Sequence, residues 1–333
     1  MRSRRPVAFL ALAAVLVAAC SGGGSGSSPG GSADATGSAA AAACPTTPEP
    51  ADGGGSWSGS QTPSVIPTVI DPGGTIACGA NRVLVSFLDP KTNAPVASPD
   101  RSVKLAFYDL GKDPNTPVAT VDADFIWAIK DSVGVYEANV TLPTSGTYGV
   151  EFTTSEGGSP PERIRVTTPV REARSVVGVG DRAPASDNPT LASVGGDVTK
   201  ISTDATPVPA FYQTTVKDAL AAKKPFVLVF ATPKFCASSQ CGPTLDRLKP
   251  IAAAHPGMTF INVEPYQLKD VDGQLQPVLT GDPAALTPVQ ATLDWRLPSE
   301  PWVFVVDKDG IVRASLMLIF SDQELEAAIK AAE

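Results

Sequence analysis

Lys224-Pro225-Phe226-Val227-Leu228-Val229-Phe230-Ala231-Thr232-Pro233-Lys234-Phe235-Cys236-Ala237-Ser238-Ser239-Gln240-Cys241-Gly242-Pro243 is the stretch on which the reading of this chain turns. The unbroken apolar run 225–231 predicts a strand covered on both faces. Two thiols follow where the strand stops. Beyond them, 243–254 reads as a helix with Leu245, Leu248 and Ile251 on one side and Pro250 as a kink. A helix N-terminus presents unpaired N–H groups that lower a thiol's pKa, and Lys234 adds positive charge nearby. The spacing sets a condition. Five positions apart in one regular helix, two Cα atoms lie about 8.6 Å from each other, whereas a disulfide spans at most about 7 Å. Either Cys236 lies in the loop and the helix starts near Pro243, which suits proline at the first helical position, or the first turn unwinds on oxidation.

The flanking sequence alternates helix and strand. Helices are expected over 215–223 and 287–295, a strand over 258–263, and a hairpin of 302–306 and 311–316 around Asp307-Lys308-Asp309-Gly310. A terminal helix over 321–332 carries Ser321 as N-cap and Glu324 at the third position. With the cysteines and the segment Ser299-Glu300-Pro301-Trp302, this order resembles the thioredoxin fold. The resemblance implies an α/β thioredoxin-like domain over 211–333. It makes Cys236 the nucleophile and Cys241 the resolving thiol. It also makes Pro301 the cis-proline that contacts the disulfide and presents backbone to a substrate strand. Three features depart from it. Four residues separate the cysteines where thioredoxins have two, Leu228 stands at the place of a buried proton-accepting Asp, and Phe235 at that of a Trp. Residues 232–242 also resemble the bacterioferritin-comigratory type of peroxiredoxin. There, however, Thr232 falls four positions before Cys236 rather than three, Leu228 replaces the expected Pro, and Pro301 falls near the expected Arg. Three functions therefore stay open: a thiol-disulfide oxidoreductase acting on protein thiols or disulfides, a thioredoxin-fold binding protein with a structural disulfide, and a thiol peroxidase. No cofactor is expected.

At the other end, Arg2, Arg4 and Arg5 precede the apolar run 7–19, which Val17-Ala18-Ala19-Cys20 closes. The run is shorter than the roughly 20 residues a membrane-spanning helix needs, and its flanks fit a cleaved signal. It resembles a bacterial lipobox, which implies a signal peptide over 1–19 and lipid on Cys20; an ordinary secretory signal is the alternative. Residues 20–62, rich in Gly, Ser, Ala and Pro, read as a disordered tether. The expected location is the cell membrane, lipid-anchored on its extracytoplasmic face, where disulfides persist. Of the five cysteines, Cys44 and Cys78 are then left as a possible structural pair, although sequence does not fix connectivity. The net charge of −8 argues against nucleic acid as a partner and against a basic patch for anionic lipid.

Residues 63–168 read as all-β, with short strands such as Arg82–Leu88 and Val103–Tyr108 and with alternation of Val135, Glu137 and Asn139 against Tyr136, Ala138 and Val140. The stretch 134–148 resembles the end of Ig-like modules, implying a β-sandwich that serves as spacer or partner-binding module. Residues 169–210 form a linker and domain entrance, in which Val179-Gly180-Asp181-Arg182-Ala183-Pro184 resembles the opening of thioredoxin-like and peroxiredoxin domains. The expected class is thus multidomain: an all-β Ig-like sandwich followed by an α/β thioredoxin-like domain. His255 is the only histidine and reads as structural, so a multi-His metal site and a Ser-His-Asp triad are not expected. No metal is expected: the sandwich shows no His or Met cluster, and the Asp307 turn lacks the later ligands of a calcium loop.

Overall fold

A computed structural model describes residues 44–333. The expected signal peptide over 1–19, the lipidation site Cys20 and the start of the tether lie outside the described residues. Residues 44–62, which composition assigned to the tether, lie along the large sheet, with most of their side chains exposed and Gly54 and Trp57 buried. Cys44 is bonded to Cys78 with Cα atoms 6.0 Å apart. A short helix α1 (Gly55–Ser58) buries Trp57. The Trp57 ring lies 4.6 Å from that of Tyr108, under the Arg165 guanidinium at 4.3 Å, and only a glycine at position 149 leaves room for it. One large aromatic side chain and one disulfide hold a segment whose average composition is that of a linker.

Alternating apolar residues then build β1 (Ile66–Ile70), β2 (Gly79–Leu88), β3 (Pro95–Val96), β4 (Arg101–Asp109), β5 (Ala119–Ile129), β6 (Val133–Leu142), β7 (Gly146–Glu156) and β8 (Glu162–Val170). All pair antiparallel in one eight-stranded sheet of order β1-β2-β6-β5-β4-β7-β8, with β3 on the far end of β2. The sheet curls until it nearly closes. The chain entering β1 meets β8, where the Arg165 N–H donates to Gln61 Oε1 and the Gln61 amide donates to the Arg165 carbonyl, each at 2.9 Å. Val83, Val85 and Phe87 of β2 fill the interior with Leu105, Phe107, Tyr136, Val150 and Phe152.

The remaining elements are α2 (Val216–Ala221), β9 (Phe226–Phe230), α3 (Cys241–Ala254), β10 (Thr259–Val263), two hairpins formed by β11 (Leu268–Val271) with β12 (Gln274–Pro277) and β13 (Leu279–Thr280) with β14 (Ala285–Leu286), then α4 (Gln290–Asp294), β15 (Trp302–Val306), β16 (Val312–Met317) and α5 (Asp322–Ala332). A four-stranded sheet runs β10-β9-β15-β16, with β9 and β10 parallel and β15 antiparallel to both of its neighbours. One of its faces packs Val227, Val229, Val303 and Val305 against Leu245, Leu248 and Ile251 of α3 and Leu325 and Ile329 of α5. Its other face packs Phe226, Leu228, Phe230 and Phe304 against Val216, Trp295 and, from the outer side of the large sheet, Leu84, Ile126 and Val135.

These observations correct the expected fold class. The described residues are mostly β, dominated by one large, nearly closed sheet, so an Ig-like sandwich of two sheets followed by an α/β thioredoxin-like domain is not shown. Helix is scarce: only α3 and α5 exceed ten residues, and the expected helices over 215–223 and 287–295 shrink to six and five residues. The physical reason is that alternation reports which side chains share a face but not which strand lies alongside. Residues 44–333 also form one compact unit.

Candidate functional site

The β9 strand is wholly buried, as its continuous apolar run requires, and delivers the chain to a loop at Ala231 and Thr232. The loop is tied down from below. Thr203 Oγ1 accepts a hydrogen bond from the Lys234 N–H at 3.3 Å and donates to Glu264 Oε1 at 2.7 Å, which also accepts from the Thr203 N–H at 2.6 Å. Burial pushes the Glu264 carboxyl above its ordinary value, while the hydrogen bonds it accepts from Thr203 oppose that shift.

Cys236 and Cys241 form a disulfide with Cα atoms 6.0 Å apart. That distance is open to them because Cys236 lies in the loop and α3 begins at Cys241, two positions earlier than proline placement suggested. Gln240, the residue before the helix, provides no side-chain cap. Instead the Cys241 N–H, one of the helix's orphan donors, points at Cys236 Sγ at 3.2 Å. The Ser238 hydroxyl lies 3.4 Å from the same sulfur. Of the two, the Cys241 N–H favours negative charge on Cys236, whereas the single Ser238 hydroxyl proton is donated elsewhere, to the Glu300 carbonyl. The two sulfurs differ in access: Cys236 is half-buried, Cys241 fully buried.

Glu300 completes the site. Its carboxylate and the two sulfurs lie within 4.8 Å of one another. It is 4% exposed. Oε1 accepts the Ala237 N–H at 3.2 Å and Oε2 accepts the Tyr266 hydroxyl. Burial and then that bond push the Tyr266 hydroxyl above its ordinary value, so it stays the donor. The Glu300 carbonyl accepts from Ser238 Oγ at 3.1 Å, clasping the cysteine loop to the turn before β15. The Glu300–Pro301 bond is cis, and Pro301 is buried at the entry of β15. Sequence reasoning passed over Glu300, which lies 63 residues after Ala237 and carries no local signal beyond standing before Pro301.

The other singled-out residues fall elsewhere. Lys234 is exposed. Leu228 sits in the apolar layer between the two sheets, so the carboxylate near the cysteines comes from the β15 turn and not from β9. His255 closes the C-terminal end of α3 and faces Glu326 at 2.7 Å and Glu333 at 3.5 Å. Asp307 is a turn residue, accepting the Asp309 and Ile311 N–H groups at 2.9 Å and Arg313 Nε at 2.7 Å.

No family profile matches the chain, and no curated protein matches it. Among the solved structures that match it, two overlap it weakly. A DUF4426 family protein from Pseudomonas aeruginosa PAO1 shares 12% identity with a TM-score of 0.24, covering 34% of this chain and 97% of that one. MTB dsbF, in mixed oxidized and reduced forms, shares 22% identity with a TM-score of 0.27, covering 36% of this chain and 87% of that one. At such scores the overlaps define neither fold nor chemistry, and the function rests on the site itself.

Proposed function

We propose that the chain is a thiol-disulfide exchange protein whose working bond is Cys236–Cys241 and whose substrates are thiols or disulfides of other proteins. The observation that supports this most is the asymmetry of the pair. A half-buried sulfur receives a helix N–H, while its partner is buried beside the Glu300 carboxylate. In the oxidising direction a substrate thiolate attacks Cys236 Sγ, forming a mixed disulfide. The Cys236–Cys241 bond breaks and its electron pair leaves on Cys241 Sγ, which takes up a proton passed through Glu300. A second substrate thiolate then attacks the substrate sulfur of the mixed disulfide, and Cys236 departs as a thiolate held by the Cys241 N–H. Two substrate thiols become one disulfide, and the protein pair is reduced by two electrons. The reverse sequence reduces a substrate disulfide.

The N-terminal reading belongs to the same proposal: Cys20 carries lipid and holds the protein at the extracytoplasmic face of the cell membrane, where its substrates are. Among the described residues, no helix is long and apolar enough to cross a membrane. Cys236→Ser abolishes exchange with a dithiol or a disulfide-bonded protein substrate, measured as turnover by the full-length chain. Undiminished turnover by that variant contradicts the assignment. The competing reading, a binding protein with an inert staple, draws on the full burial of Cys241. It requires that the Cys236→Ala, Cys241→Ala double variant keep its biological function.

A further inference from the structure

We propose that the reduced pair, together with Glu300, is a binding site for a borderline-soft transition-metal dication of the Zn2+ class. This rests on the exchange reading in one respect, that the pair can be reduced. The donor atoms are already gathered, with both Sγ atoms and a Glu300 oxygen within 4.8 Å of one another. Around a tetrahedral zinc with Zn–S of about 2.3 Å and Zn–O of about 2.0–2.2 Å, neighbouring ligand atoms stand roughly 3.5–3.8 Å apart. The three donors therefore need only local adjustment, and Cys236, lying outside α3, has a loop with which to make it.

The surroundings support the ligands in the way metal sites require. The Glu300 carboxylate is held by the Tyr266 hydroxyl and the Ala237 N–H, and each oxygen keeps a lone pair free. Cys236 Sγ receives the Cys241 N–H. Reduction would leave two thiolates and a carboxylate crowded in one partly buried place, and that charge must be met by protons or by a cation. Two thiolates favour zinc and its neighbours over magnesium or calcium. The chain supplies three ligands, so the fourth position falls to water on the half-exposed side of Cys236. That arrangement makes the ion exchangeable rather than sealed in.

The balance is simple. An external dithiol gives two electrons to the Cys236–Cys241 bond and becomes a disulfide itself. The dication then displaces the two thiol protons into solvent and forms two metal–sulfur bonds. The metal-bound pair is closed to exchange, so the ion and the oxidising substrate compete for the same two sulfurs.

The test uses the full-length chain, reduced anaerobically, freed of reductant and titrated with Co2+ as an optical probe, with Zn2+ as competitor. One equivalent of Co2+ raises a sulfur-to-cobalt charge-transfer band with tetrahedral d–d bands, and Zn2+ removes them. Cys236→Ser abolishes the bands, and Glu300→Gln weakens Co2+ binding by at least about tenfold while both thiols still alkylate. A chain whose free thiols map to Cys236 and Cys241 but which shows no such bands overturns the metal site alone. Unchanged affinity in Glu300→Gln also overturns it. A pair that alkylation shows never to be reduced removes the exchange reading together with it.

Discussion

Cys236 and Cys241 were legible in the sequence because a strand end, two thiols and a helix start lie within one short window. Glu300 was not, because only the pairing of β15 with β9 brings it to the cysteines. Leu228 leaves the buried thiol without a carboxylate from its own strand, and the structure supplies one from the neighbouring turn. If Glu300 passes the proton to and from Cys241, Glu300→Gln slows reduction of the disulfide by a small dithiol about 10²-fold, within the range of general acid–base catalysis. Stopped-flow reduction at a fixed pH reads the effect. A variant that loses thermal stability but keeps the wild-type rate would make Glu300 a structural clasp only.

Elements show a second limit of sequence reading. The capping box of α5 was visible as Ser321 and Glu324, and it forms: Ser321 Oγ accepts the Glu324 N–H at 3.1 Å, and Glu324 Oε2 accepts the Ser321 N–H at 2.9 Å. That the same glutamate reaches β2 was not visible. Arg82 Nε meets Glu324 Oε1 at 2.7 Å, and its guanidinium donates to the Ile319 carbonyl at 2.6 Å. Arg82 also serves Glu137 on β6, at 4.0 Å. Burial first, then the Glu324 charge, pushes the Glu137 carboxyl up to about 7, although Arg82 opposes both. A carboxyl raised on folding favours the native state below its unfolded pKa, and that advantage is lost as pH rises through the folded value. The contribution of Glu137 to stability therefore falls between about pH 4.5 and pH 7. Glu137→Gln, which retains an acceptor for the Asn139 amide, removes that decline. Denaturant unfolding at both pH values checks this. A wild-type chain and a variant with parallel pH dependence would contradict it.

Over the whole molecule, β2, β4, β6, β7, β9, β10, β15 and β16 were readable one by one, but β1, β3, β5, β8 and the strands β11 to β14 were not, and neither was the assembly. The hydrophobic alternation of β2 turns Val83 and Val85 into the curled sheet and leaves Leu84 outward. The run Val83-Leu84-Val85 is apolar on both faces, which marks a covered strand but does not say what covers its outer face. Leu84 packs with Phe226, Leu228, Phe230 and Phe304 of the second sheet, so the two sheets share apolar surface. Leu84→Ala costs about 2–5 kcal/mol, as burial and the resulting cavity demand. It lowers the stability of both sheets in a single transition, followed by tryptophan fluorescence and circular dichroism together. Two separate transitions, with only the first shifted, would contradict a shared core.

The most direct measurement is a redox titration of the full-length chain, with thiols at Cys236 and Cys241 counted by mass-tag alkylation and peptide mapping. Structural disulfides lie below about −300 mV. Exchange at this site predicts a Cys236–Cys241 midpoint well above that value, reached while Cys44–Cys78 is still oxidised. A Cys236–Cys241 bond that persists below it, reduced only together with Cys44–Cys78, would contradict the central claim and leave the pair a structural staple.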